Sequence, residues 1–89
     1  MVSQKVMIKN PTGLHLRPAG LFCKTAMSFD CSVTFKARDG EVTANAKSVL
    51  SVLGACVKSG DEIELICDGE GEELALAEMV GIVEAGLGE

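Results

Sequence analysis

Gly13-Leu14-His15-Leu16-Arg17-Pro18-Ala19 contains the only histidine of the chain, with an arginine two positions on and a proline directly after it. Proline has no N–H and a φ already near the helical value, so it is tolerated in the first turn of a helix and almost nowhere else inside one. The stretch therefore starts a helix and places His15 at its entrance, with Leu16 and Pro18 in the opening turn. Free backbone N–H groups and the positive end of the helix dipole attract an anion there, and Arg17 adds a planar fork suited to phosphate oxygens. These residues read as a phosphate site. A plainer alternative, a solvated loop histidine with a solvated arginine beside it, stays open on residue types alone.

Working outward, Ala19, Phe22, Cys23 and Ala26 recur at three- and four-residue spacing and predict a helix from Leu16 to Phe29 with that row in the core. Leu16, Gly20, Lys24 and Met27 follow the adjacent row and are expected outside, an apolar and basic strip beside His15. Upstream, Val6 and Ile8 alternate with Lys5, Met7 and Lys9 in a strand within Val2 to Lys9, and Asn10-Pro11-Thr12-Gly13 reads as a turn. Downstream, Cys31, Val33, Phe35 and Ala37 alternate with polar residues in a second strand. Arg38-Asp39-Gly40-Glu41 signals a hairpin, and Val42 and Ala44 continue on the return strand.

Asn45 or Ser48 suits the cap of a second helix, with Ser48 preferred and Val49 to about Gly54 helical. Val52 is expected inward, leaving Val49, Leu50 and Leu53 as a second exposed patch. Lys58-Ser59-Gly60-Asp61 turns the chain into a last strand in which Ile63, Leu65 and Cys67 alternate with Glu62 and Glu64. Glu70, Glu72 and Glu73 suit the start of a third helix, whose buried stripe is expected at Leu76, Met79, Ile82 and Val83 with Ala75 at its edge. The order is βαββαβα. One-sided alternation in every strand predicts an α+β fold, an open-faced β-sandwich with a four-stranded antiparallel sheet covered on one face by three helices.

At 89 residues the chain suits a single domain, 1–89, with one core. A hydrophobic share of 47% against 24% charged residues is that of a globular chain rather than a disordered one. No apolar run is long enough for a signal peptide or a membrane span, so a cytoplasmic protein is expected. Cys23, Cys31, Cys56 and Cys67 form no Cys-x-x-Cys pair and have one histidine to join them, which argues against a metal site and for reduced, buried thiols. Residues 1–38 carry six basic side chains and one acidic, residues 39–89 two basic and twelve acidic. Positive charge is thus expected near His15, favouring phosphate and an acidic partner, while the lack of aromatics and of a basic stripe argues against nucleic acid.

Gly-Leu-His-x-Arg-Pro-Ala resembles the active-site signature of the HPr family, the histidine-containing phosphocarriers of the bacterial phosphoenolpyruvate:sugar phosphotransferase system. Lys47-Ser48-Val49-Leu50 resembles the surroundings of that family's regulatory serine, and the likeness runs on to the closing Gly86-Leu87-Gly88-Glu89. The resemblance implies that His15 accepts a phosphoryl group from phosphorylated enzyme I and passes it to the A domain of a sugar permease, with Arg17 stabilising the phosphate. It implies that Ser48 is phosphorylated by an HPr kinase/phosphorylase and then met by a catabolite-control transcription regulator. It also implies docking through Leu16, Gly20, Lys24 and Met27 and through Val49, Leu50 and Leu53. A monomeric stoichiometric carrier, without cofactor and without turnover of its own, is expected. The segment between Phe35 and Ser48 is longer than in many members, and Gly54-Ala55-Cys56 is less typical.

Overall fold

Alternating residues make the strands, and the computed structural model, which describes residues 1–89, joins four of them into one antiparallel sheet. In chain order the elements are β1 (Val2–Met7), α1 (Leu16–Met27), β2 (Ser32–Ala37), β3 (Val42–Asn45), α2 (Val49–Gly54), β4 (Glu62–Asp68) and α3 (Glu72–Glu84). The sheet order is β1-β4-β2-β3. Register sets Phe35 opposite Leu65 and Val33 opposite Cys67, with Val6 opposite Ile63 at the β1 edge, so the inward residues of neighbouring strands share one face. The helices bury that face.

One cluster of buried side chains runs from Ile8 through Phe22, Phe35 and Leu65 to Met79 and Val83. Phe22 of α1 meets Phe35 of β2 edge-on, with ring centroids 5.5 Å apart and planes at 90°. That geometry contributes ~1 kcal/mol beyond the area it removes from water. The fold is the one the alternation predicts, and the departures are local. α1 stops at Met27 rather than Phe29, because the Ser28 and Phe29 N–H groups fold back onto the Thr25 and Ala26 carbonyls in a tighter turn. The Phe29 carbonyl is then taken by the Lys47 ammonium at 2.6 Å.

The expected stripe of α3 is turned. Ala75, Met79 and Val83 form the fully buried row, with Val80 beside them, while Leu76 and Ile82 are only half-buried on its flanks. Spacing of four sets one row squarely against β1 and β4, and the small Ala75 lets the helix lie close. Glu70 falls outside the helix, since Gly71 is the N-cap. At the far end Gly86 takes φ +93, its N–H reaches Val83 O at 3.1 Å and the Leu87 N–H reaches Ile82 O at 2.9 Å. This paired closure satisfies the last helical carbonyls, buries Leu87 and turns Glu89 back toward the start of α1.

Candidate functional site at the start of α1

His15 is the N-cap of α1, in extended conformation at φ −86 and ψ −173, and its carbonyl accepts the first intrahelical bond from the Ala19 N–H at 2.8 Å. Its ring makes no capping hydrogen bond, and the first turn holds no acidic residue. Leu16 and Arg17, the first two helical residues, carry N–H groups that no helix carbonyl can reach, and Pro18 has none. His15, Leu16 and Arg17 are exposed, whereas Pro18 is buried and anchors the turn. The result is a positive helix end open to solvent, with an imidazole and a guanidinium beside it.

The loop leading into His15 is held from two sides. On one side the Leu14 N–H donates to Val57 O at 3.0 Å, and Gly13, at φ +66, packs so closely that a Cβ there would stand 2.6 Å from the same oxygen. On the other, the buried Asn10 amide donates to Gly13 O at 2.7 Å and to the Glu89 carboxylate at 3.0 Å, and the Thr12 hydroxyl donates to that carboxylate at 2.8 Å. Hydrogen bonds from Asn10 and then Thr12, with the charge of Arg17, hold the Glu89 carboxyl below the usual carboxylate range. The residue-by-residue reading of function missed Asn10, Thr12 and Glu89. A polar turn and a glycine-flanked chain end were visible, but nothing local says that they meet.

The second site lies at the other end of the helix pair. Lys47, at the start of α2, reaches Phe29 just past the end of α1, and Val57, past the end of α2, holds Leu14 at the start of α1. The two helices therefore run in opposite directions, with Ser48 toward the end of α1 and His15 at its start. Ser48 is the N-cap of α2, as preferred over Asn45, and its hydroxyl accepts from the Ser51 N–H at 3.3 Å.

Of the expected docking residues, Leu16 (67% exposed), Met27 (64%) and Leu50 (81%) stand clear of the surface, Lys24 is exposed and Val49 less so. Gly20 and Leu53 differ from expectation. Gly20 is half-buried, and Leu53 packs against the core because α1 and α2 lean together.

Several of the basic residues expected near His15 lie elsewhere. Lys5 and Lys36 lie on the outer face of the sheet, both opposite Glu64, and share a groove with Arg38, Asp61 and Glu62. Only Arg17 and Lys24 share α1 with the histidine. Cys23, Cys31 and Cys67 are buried thiols, but Cys56 is exposed, since it takes φ 54 just past the α2 cap and its side chain swings out. Burial, and then the neighbouring Cys31, raises the Cys67 thiol to about 11.

An open-faced sandwich that presents a lone exposed histidine at an uncapped helix start has the architecture of a histidine phosphocarrier. Comparison with known proteins gives the particular family. Residues 2–85 match the family profile described as PTS HPr component phosphorylation site. The chain is 40% identical to the HPr-like protein Crh of Bacillus subtilis over 94% of its own length and 96% of that protein. It is 39% identical to phosphocarrier protein HPr of Streptomyces coelicolor, covering 100% of this chain and 95% of the other. A crystal structure of HPr from Thermoanaerobacter tengcongensis superposes with a TM-score of 0.93 at 36% identity, over 100% of this chain and 98% of that one. The chain belongs to the HPr phosphocarrier family of the phosphotransferase system. No helix of it is long and apolar enough to cross a membrane.

Proposed function

We propose that His15 is the phosphoryl acceptor, loaded by phosphorylated enzyme I in the cytoplasm and unloaded onto the A domain of a sugar permease. The observation that supports this most is the uncapped start of α1, where the exposed imidazole stands beside Arg17 and unpaired N–H groups. In the loading step an imidazole nitrogen gives its lone pair to phosphorus while the bond to the donor breaks, the donor leaving with that electron pair. Charge then spreads over the three equatorial oxygens, and Arg17 with the Leu16 and Arg17 N–H groups stabilises it on this reading. Unloading is the same displacement with donor and acceptor exchanged. An exposed nucleophile with no enclosing pocket suits a stoichiometric carrier rather than an enzyme.

Ser48 is the second phosphorylation site of this reading, the substrate of an HPr kinase/phosphorylase. Its phosphate would add roughly −1.5 to −2 charge beside the exposed Val49 and Leu50 and so change which partner docks there, a catabolite-control transcription regulator in place of enzyme I. A narrower reading, a regulatory module acting through Ser48 alone, draws on the likeness to Crh. The presence of His15 with Arg17 favours the carrier.

Incubation with phosphoenolpyruvate, magnesium and purified enzyme I, following acid-labile phosphate on the chain and on His15→Ala, tests the two. Rapid labelling lost in the variant is the expected result. A chain inert to several enzymes I, yet phosphorylated by the serine kinase, would establish the narrower reading instead.

A further inference from the structure

α2 ends after six residues with the Ala55 and Cys56 N–H groups folded back onto Ser51, Val52 and Leu53 O, which leaves the carbonyls of Ala55 and Cys56 themselves to be met from elsewhere. Their partner arrives from the β2–β3 hairpin. Arg38, the first residue of that turn, donates from Nη1 to Ala55 O at 3.0 Å and from Nη2 to Cys56 O at 3.1 Å. It does so from a left-handed backbone at φ 51, a conformation that costs a non-glycine residue energy. A guanidinium holds two consecutive carbonyls with one fixed fork, which an ammonium does not.

The residue after this clamp is Val57. Its buried carbonyl accepts the Leu14 N–H at 3.0 Å and stands against Gly13 with no room for a side chain between them. The contacts therefore run without a gap from Arg38 through Ala55 and Cys56 to Val57, and from Val57 to the residue before His15. We propose that Arg38 is a positioning residue for phosphoryl transfer, fixing through the 55–57 segment the place at which His15 starts α1. This rests on the reading of His15 as the acceptor. Arg38 touches neither the imidazole nor the phosphate; it sets the angle from which the nitrogen meets phosphorus, and small misplacements of that kind are costly.

The test compares Arg38→Ala, Arg38→Lys and, as a control for lost surface charge, Lys36→Ala. Transfer from phosphorylated enzyme I is measured at saturation, together with KM for enzyme I and amide hydrogen exchange. For Arg38→Ala the proposal expects the Leu14 amide to exchange ~10-fold faster while the Ala46 amide, bonded to Val33 O in the sheet, keeps its protection. Saturated transfer should fall about 3- to 10-fold with KM unchanged within about twofold. Arg38→Lys should fall between the parent and the alanine variant, and Lys36→Ala should match the parent. Unchanged Leu14 exchange, unchanged transfer, or a loss confined to KM would each overturn it. Should Arg38→Ala fail to fold, Arg38→Lys alone decides: transfer and Leu14 exchange equal to the parent's overturn the proposal, and reduced transfer with faster Leu14 exchange supports it. A failure of the His15 reading itself would show separately, as labelling that survives in His15→Ala.

Discussion

The starts of α1 and α2 obey the same physics and are finished in opposite ways. At α2 the Ser48 hydroxyl accepts from Ser51 N–H, the Ser51 hydroxyl accepts from the Asn45 N–H at 2.9 Å, and the Asn45 amide oxygen accepts from Lys47 N–H at 2.9 Å. Of the three N–H groups this helix start frees, on Val49, Leu50 and Ser51, the last is met by a side chain, and two further side-chain bonds hold the approach to the cap. At α1 the N-cap is a histidine that caps nothing, and the helix is secured from behind, by Pro18 in the core and by the Gly13 and Leu14 contacts with Val57. The Leu16 and Arg17 donors stay open to solvent. A capped start adds stability, and an open one forgoes that contribution while leaving donors that suit an anion.

His15→Asp should erase the difference. An aspartate N-cap can accept from the Arg17 N–H, so the variant is expected to gain about 0.5–1 kcal/mol in denaturant unfolding while losing phosphoryl transfer by at least ~10³-fold. A variant that gained no stability would mean the first turn is not short of a cap. Gly13→Ala attacks the rear support of α1. With a Cβ driven into Val57 O at positive φ, a loss of ~2–4 kcal/mol is expected in the same unfolding experiment. A loss below ~0.5 kcal/mol would show that the loop can yield without cost.

Ser48→Ala opens the second start and should cost ~1 kcal/mol, with His15 labelled by enzyme I at close to the parent rate. A large fall in labelling would join two sites that stand at opposite ends of the helix pair. The smallest effect concerns acid. Because its carboxyl titrates below the usual range in the folded chain, the Glu89 tether contributes in full above that range and is lost as pH falls through the lowered value. An NMR titration should show the Asn10 side-chain amide and the Thr12 resonances moving with Glu89, at a lower midpoint than free carboxylates. An ordinary midpoint would detach the tether from the site.

Much of this was readable in the sequence because the deciding signals are local. Proline at position 18 located the start of α1, alternation gave all four strands, and serine before an apolar run gave the α2 cap. On α3 the periodicity places Met79 and Val83 correctly in the core, but Leu76 and Ile82 lie on its flanks and the edge residue Ala75 is fully buried, because close packing against the sheet favours a small residue there. Leu53 was misplaced for a related reason, since the lean of α2 toward α1 belongs to tertiary packing and not to helical period. The supports of the site were illegible. Arg38 meets Ala55, and Asn10 meets Glu89, across stretches of chain whose composition carries no trace of the contact.

The sheet order has a consequence for how the protein comes into being. β1, made first, finds its only partner in β4, near the other end of the chain, so the sheet closes by a long-range pairing of the slow kind. During synthesis His15 emerges well before Val57 and Glu89, the two residues that fix the loop leading to it. The imidazole is thus made early and positioned late. An incomplete chain has the histidine without the contacts that fix the loop leading to it.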